Sequence, residues 1–489
     1  MRWAALAVLA FAGCGPGHSA PEPHDRSQAA LLAESRPTSP SSSLPRFEAT
    51  EQVESVVSPG AHFRIHFTRS GPNAVKAADA DGNGIPDAVD IVARTYDRVA
   101  AFYAGLGYLP PPEDSWLPGD FGGDGLFDVY LLDFAGRADG AFRTDGCQGA
   151  ESQCSGHMLQ ENDFTGYSYR SYEEAVDTLA SHEFFHAVQA AYHPNLGSVA
   201  VEGTAVWATE RFAPALEDLE QFSSAYLDRP DRSLVVDPDG PGSFSYGSSL
   251  YFQFLSERFG DRLILSMWEE SVRTPSVRWP ALVDTVLRRD SGADFDRAFA
   301  EFAQWNMATG SHARPGQGYA RGEGYAELTS SSKTFPVDEP SVRVAPASTR
   351  YFEVAGAQNI SVSFQPTDDA ETGALHLLVA VVGQDGTLQV TRADSPGALL
   401  AQVSAQGASR VLVAVVDGRH QGLGRYGRLC ITDTATGSPC GGDAPSDGED
   451  KDTGCQSAPG GWTWWLSWLV LAAGGYRPLR KRSHLEASR

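Results

Sequence analysis

SYEEAVDTLASHEFFHAVQAAYHP, residues 171–194, decides how the rest of this 489-residue chain is read. Ser171 followed three residues later by Glu174 is a capping-box signature. His193 stands before Pro194, where a helix has to stop, so the spacing predicts a helix from Tyr172 to about Tyr192. Steps of three and four residues return to one helix face, which puts Leu179, His182 and His186 on a single stripe. Two imidazoles one turn apart can hold one Zn²⁺, and Glu183, about 100° round the helix, can reach a water on the metal. The same spacing also fits a helix with two histidines and no metal, so neighbouring residues have to carry the claim.

Composition narrows the function classes. With 38 basic and 62 acidic side chains the formal net charge is −24, against a nucleic-acid partner, which needs a basic face. Apolar residues at 42% and aromatics at 10% exclude global disorder, and the length suggests about two or three domains. Residues 20–45, rich in Pro and Ser, read as a flexible linker, and so do the acidic, Gly/Ser-containing residues 435–460.

A hydrolytic zinc site needs a third protein ligand and an open position. Val201-Glu202-Gly203-Thr204-Ala205 resembles the Glu-Gly-x-Ala segment of gluzincin metallopeptidases, which implies Glu202 as third ligand and Glu183 as general base. Glu210, eight residues on and on the same helical face, is the reserve ligand or an acceptor that orients an imidazole. Tyr246, opening the run to Gly260, looks like the tyrosine before a similar helix in aminopeptidase-type gluzincins, which implies an oxyanion donor. A metzincin would need Gly at 189 and His at 192; here stand Gln189 and Tyr192, with His193 one position late.

Residues 79–90 match the EF-hand loop slot by slot: Asp79, Asp81, Asn83, Asp87 and Asp90 as oxygen donors, Gly84 at the turn and the Ile85 carbonyl between them. This reads as a lone Ca²⁺ loop leading into a helix from Asp87 to Tyr103, or as an Asp-rich turn capping that helix without metal. The pattern from this loop through HExxH to Glu-Gly-x-Ala resembles a family of exported bacterial metalloproteases with C-terminal surface-sorting signals, over most of residues 50–330. From 46 to 330 helical periods dominate, with strands at His62–Thr68 and Asp128–Asp133. After about 336 short apolar or alternating runs follow at turn-like spacing, from Val342–Val344 to Tyr426–Thr432. The expectation is an α+β multidomain chain: a mainly helical, zincin-like catalytic domain (46–335) followed by an all-β sandwich (336–434).

The ends read as sorting devices. Arg2 and the apolar run Trp3–Ala12 fit an export signal within residues 1–19. The run closes on Phe11-Ala12-Gly13-Cys14, which resembles a bacterial lipoprotein signal and implies lipidation of Cys14; an ordinary signal peptide cut near Ala20 fits equally. Residues 461–489 hold an apolar stretch, Trp462–Ala473, and then Arg477, Arg480, Lys481 and Arg482. That order, with Cys455 before it, resembles a MYXO-CTERM sorting signal and implies cleavage near Cys455 and attachment to the cell envelope; a short membrane anchor is the alternative. The four other cysteines fall into two close pairs, Cys147 with Cys154 and Cys430 with Cys440, which an exported protein would oxidise. The function expected is a zinc endopeptidase acting on protein or peptide substrates at the cell surface. The competing class is a non-catalytic, calcium-stabilised adhesion protein.

Overall fold

The computed structural model describes residues 36–39, 42–43 and 45–434, apart from 118, 120, 150–151, 238–241, 356–357 and 368–372. The expected leader, the 435–460 linker and the sorting segment lie outside the described residues, as do Cys14, Cys440 and Cys455. Among the described residues no helix is long and apolar enough to cross a membrane.

The chain is mixed α+β, with three β-sheets among the described residues. The first sheet comprises β1 (Val53–Val57), β2 (Phe63–Thr68), β3 (Phe127–Leu132), β4 (Gly140–Cys147) and β5 (Cys154–Glu161), in the order β1-β2-β3-β5-β4. β2, β3 and β5 run parallel; β1 and β4 pair antiparallel at the two edges. One face carries α1 (Asp87–Gly105) and α2 (Tyr172–Tyr192). Alternation along β3 shows the division: Val129 and Leu131 point into the main core, while Tyr130 and Leu132 join Phe47 and Phe134 on the opposite face. Only β2 and β3 of this sheet were legible in the sequence. β4 and β5 are studded with Gly140, Gly146 and Gly156 and bury polar side chains such as His157 and Gln160, so no apolar alternation marks them. Cys147 and Cys154 are register partners at the end of the β4–β5 hairpin and are joined by a disulfide.

Further helices complete the first unit: α3 (Ser198–Phe212), α4 (Asp218–Leu227), α5 (Ser243–Gly247), α6 (Ser249–Phe259), α7 (Arg262–Arg273), α8 (Trp279–Asp290) and α9 (Phe295–Trp305). After them come β6 (Ser331–Thr334), β7 (Val337–Val344), β8 (Ser348–Ala355), β9 (Asn359–Pro366), β10 (Leu375–Val382), β11 (Leu388–Asp394), β12 (Leu400–Ser404), β13 (Arg410–Asp417) and β14 (Arg425–Asp433). These form two sheets, β11-β10-β13-β8-β6 and β12-β9-β14-β7. On β13, Val411, Val413 and Val415 share one apolar cluster with the second of these sheets, and Leu412, Ala414 and Val416 belong to the helical core. Burial on both faces explains why β10 and β13 read as continuous apolar runs. Tyr351 on β8 donates its hydroxyl to the Ala303 carbonyl of α9 at 2.7 Å, so the β region is packed onto the helices. The boundary expected at 336 moves back, since β6 already pairs with β8 from Ser331. Cys430 is disulfide-bonded.

The expected linker also needs correcting. Arg36 is 1% exposed and lies over the face of the first sheet opposite α1 and α2. Its guanidinium donates to Asp128 (2.8 Å), Asp114 (2.8 Å), Asp145 (2.6 Å) and the Tyr130 hydroxyl (3.2 Å). Behind these carboxylates, His66 bonds Asp128 at 2.6 Å and His157 bonds Asp145 at 3.0 Å. Composition predicts a tether through residue 45; one buried side chain fastens it at 36.

Candidate metal centre

α2 begins as its sequence requires: the Ser171 side chain accepts from Glu174 N at 3.1 Å. The reciprocal arm is displaced by one residue, because the Glu174 carboxylate accepts from Arg170 N. At the far end the His193 amide bonds the Gln189 carbonyl at 2.8 Å, so His193 fringes the helix. α3 packs across α2 and brings Glu202 to the histidine pair. Gly203 permits a second close approach, since a Cβ there would meet Ser248 Oγ at 2.4 Å and the Phe252 ring at 2.8 Å. The Glu-Gly pair thus joins the position whose carboxylate meets the histidines to one where α6 seals the helix behind it.

His182 Nε2 lies 3.3 Å and His186 Nε2 3.5 Å from the same Glu202 oxygen. The three donor atoms fall within 4.8 Å of one another. Both His182 and Glu202 are buried, at 8% and 9% exposure. Burial opposes the charged Glu202, yet the two imidazoles outweigh it and hold the carboxyl well below the usual range. Burial likewise opposes a charged His186, but Glu202 pushes its pKa up to about 9. The pocket therefore favours positive charge between its donors, and two imidazoles with one carboxylate are a donor set suited to Zn²⁺.

Gln189, read in the sequence only as a mismatch to another class, orients this set. Its amide nitrogen donates to the Val201 carbonyl at 2.8 Å and to Thr204 Oγ1 at 3.0 Å. The amide oxygen must then face His186 Nδ1, 2.8 Å away, so Nδ1 carries a proton and Nε2 is the nitrogen turned toward Glu202, the one a metal would take once its proton leaves. No sequence signal marked it beyond its place one turn after His186.

Glu183 stands beside the set, and its carboxylate accepts from Phe142 N of the edge strand β4 at 3.1 Å. Tyr246, on α5, stacks on His182 with ring centroids 5.6 Å apart and on Phe222 at 5.0 Å. Burial, then the charges of Glu202 and Glu183, raise its pKa and keep the phenol protonated. Glu210 is not brought to the histidines: it accepts from Arg321 at 2.8 Å, and burial together with Glu220 pushes its carboxyl up to about 7.

No family model matches the chain. No curated protein matches it either. Among solved structures, it is similar to the pre-peptidase C-terminal domain of collagenase from Bacillus anthracis, at 10% identity and a TM-score of 0.17, over 22% of this chain and 100% of that one. A likeness that slight carries no functional argument.

In the 79–90 loop, carboxylate oxygens of Asp79, Asp81 and Asp87 come within 4.8 Å of one another. Asp79 accepts from the amides of Asn83 and Gly84, and Asn83 Oδ1 from that of Ile85 at 2.7 Å. Asn83 Nδ2 turns toward Asp81 and Asp90, at 3.1 and 2.8 Å, so these two join the loop through Asn83. Gly84, at φ +86°, makes the turn an L side chain would resist.

Proposed function

We propose that this chain is a zinc-dependent endopeptidase: a zincin-like helical domain backed by a β-sandwich, exported and held at the cell surface, hydrolysing proteins or peptides. The observation that carries the reading is the convergence of His182, His186 and Glu202, with Glu183 fixed beside them. These three residues would hold the zinc. When bound, the metal supplies Lewis acidity, lowering the pKa of a water and polarising a carbonyl.

The remaining steps belong to the chain's own groups. Glu183, positioned by the Phe142 amide, accepts the proton of the attacking water and passes it to the departing amine. The Tyr246 hydroxyl, protonated and facing the site, can donate to the oxygen on which charge develops. β4 is a sheet edge, and its outward backbone groups suit an extended peptide added as a further strand.

Two measurements test the metal assignments. Wild type should carry about one zinc per chain by mass spectrometry and cleave unfolded casein. His186→Ala should lose more than the 10- to 100-fold in zinc affinity typical of removing an outer partner. Equal zinc in both proteins would sink the site. We read the 79–90 loop as a Ca²⁺ site, which would stabilise the native state by about 2.7 kcal/mol at 100 times its Kd. Calcium should therefore raise the Tm of wild type but not of Asp81→Ala; equal shifts would return the loop to a metal-free turn.

A further inference from the structure

Arg143 lies on the edge strand β4, one residue past Phe142, whose amide holds Glu183. Its Nε is buried without a hydrogen-bond partner, and its guanidinium has no ion-pair partner among the described residues. Burial opposes the charge of this side chain, and no carboxylate offsets it. The nearest acid on its own strand, Asp145, is already taken by Arg36 at 2.6 Å and His157 at 3.0 Å. His157, the register partner of Arg143 on β5, is kept neutral by burial and supplies no counter-charge. A cation drawn partly out of water with nothing to balance it costs free energy, so the place calls for an anion that arrives from outside.

The strand geometry says where that anion would come from. Phe142 N turns to Glu183 and therefore away from β5. In an antiparallel pair the N–H and C=O of one residue turn to the same side and alternate along the strand, so Phe142 and Thr144 direct their backbone groups outward and Arg143 directs its own to β5. A peptide laid along the outer edge of β4 thus bonds the backbone on either side of Arg143. The peptide residue opposite Arg143 then stands in a non-hydrogen-bonded pair, with its Cβ about 4.5–5.5 Å away and its side chain on the same face. We infer that Arg143 is a specificity residue, receiving an aspartate or glutamate side chain of the peptide substrate at that position. This rests on the endopeptidase reading and names its preference. The orphaned Nε and a terminal nitrogen of the guanidinium form the fork that matches a carboxylate.

The test uses zinc-loaded full chain carrying Glu183→Gln, so that peptides bind without turnover, and compares by calorimetry a peptide library in which one glutamate or its glutamine replacement is moved along the sequence. At one position glutamate should bind about tenfold or more tighter than glutamine, as a charge-assisted contact in a partly buried site allows. Adding Arg143→Gln should bring that ratio close to one while zinc content stays the same. Equal binding of glutamate and glutamine at every position overturns the subsite and leaves the peptidase reading standing. A preference that survives Arg143→Gln belongs to another group and overturns the inference. Binding of no peptide also overturns it, and together with absent casein cleavage by the wild-type chain it overturns the peptidase reading too. Loss of zinc in the Arg143→Gln protein would make Arg143 a structural part of β4 and overturn the inference as well.

Discussion

Arg36→Met should cost about 3–5 kcal/mol of folding stability, the range for removing one partner from a buried ion network. Asp114, Asp128 and Asp145 converge on this one guanidinium, and Asp128 and Asp145 have no side-chain exposure. The neighbouring imidazoles do not replace it: burial lowers the His157 pKa and keeps that ring neutral. Methionine retains the stem's packing and deletes the charge, so the loss isolates the electrostatic part. The pH dependence supplies a second signature. Burial, reinforced by Asp128 and Asp145 and opposed by Arg36, pushes the Asp114 carboxyl up to about 7 from 3.8. The native state therefore binds more protons than the unfolded chain across that window, and stability falls as pH rises through it. Without Arg36 the Asp114 carboxyl holds its proton more tightly, so the variant's deficit should be larger at pH 7.5 than at pH 5. Urea unfolding followed by tryptophan fluorescence at both values measures it. A deficit below about 1 kcal/mol at pH 7.5 would mean that residue 36 is not fastened in solution.

The contrast between Arg36 and α2 shows what a linear sequence can carry. α2 was readable to the residue because its signals are local: a cap at Ser171, a stop at Pro194, and two histidines whose spacing fixes a shared face. β10 and β13 were readable because burial on both faces leaves unbroken apolar runs. β4 and β5 were not, since their side chains answer to distant partners: Gly140 to Leu179, Asp145 to Arg36, and the Phe142 amide to Glu183. At the candidate metal centre the histidine pair follows from helical spacing, and Glu202 from a motif. Gln189 carries no motif, because its bonds to His186, Val201 and Thr204 exist only once α2 and α3 are packed together.

Glu183→Gln should keep zinc and lower kcat by about 10²- to 10⁴-fold, the usual contribution of a positioned general base. The amide is nearly isosteric, and its oxygen can still accept from Phe142 N, which bonds the carboxylate at 3.1 Å, so the side chain should stay in place. It cannot take up a proton at the pH of the reaction, and only that function is removed. None of the three converging donors comes from Glu183, which is why zinc content should match wild type. If Glu183 acts in the transition state alone, kcat falls while KM stays close to its wild-type value; a raised KM with unchanged kcat would mark it as a substrate-binding group. Undiminished casein cleavage would remove Glu183 from the chemistry. Lost zinc together with lost activity would instead tie its carboxylate to holding the site. Because His186→Ala is expected to lose metal and turnover together, the two variants separate the two arms of the reading: one empties the centre, and the other leaves it loaded without a base.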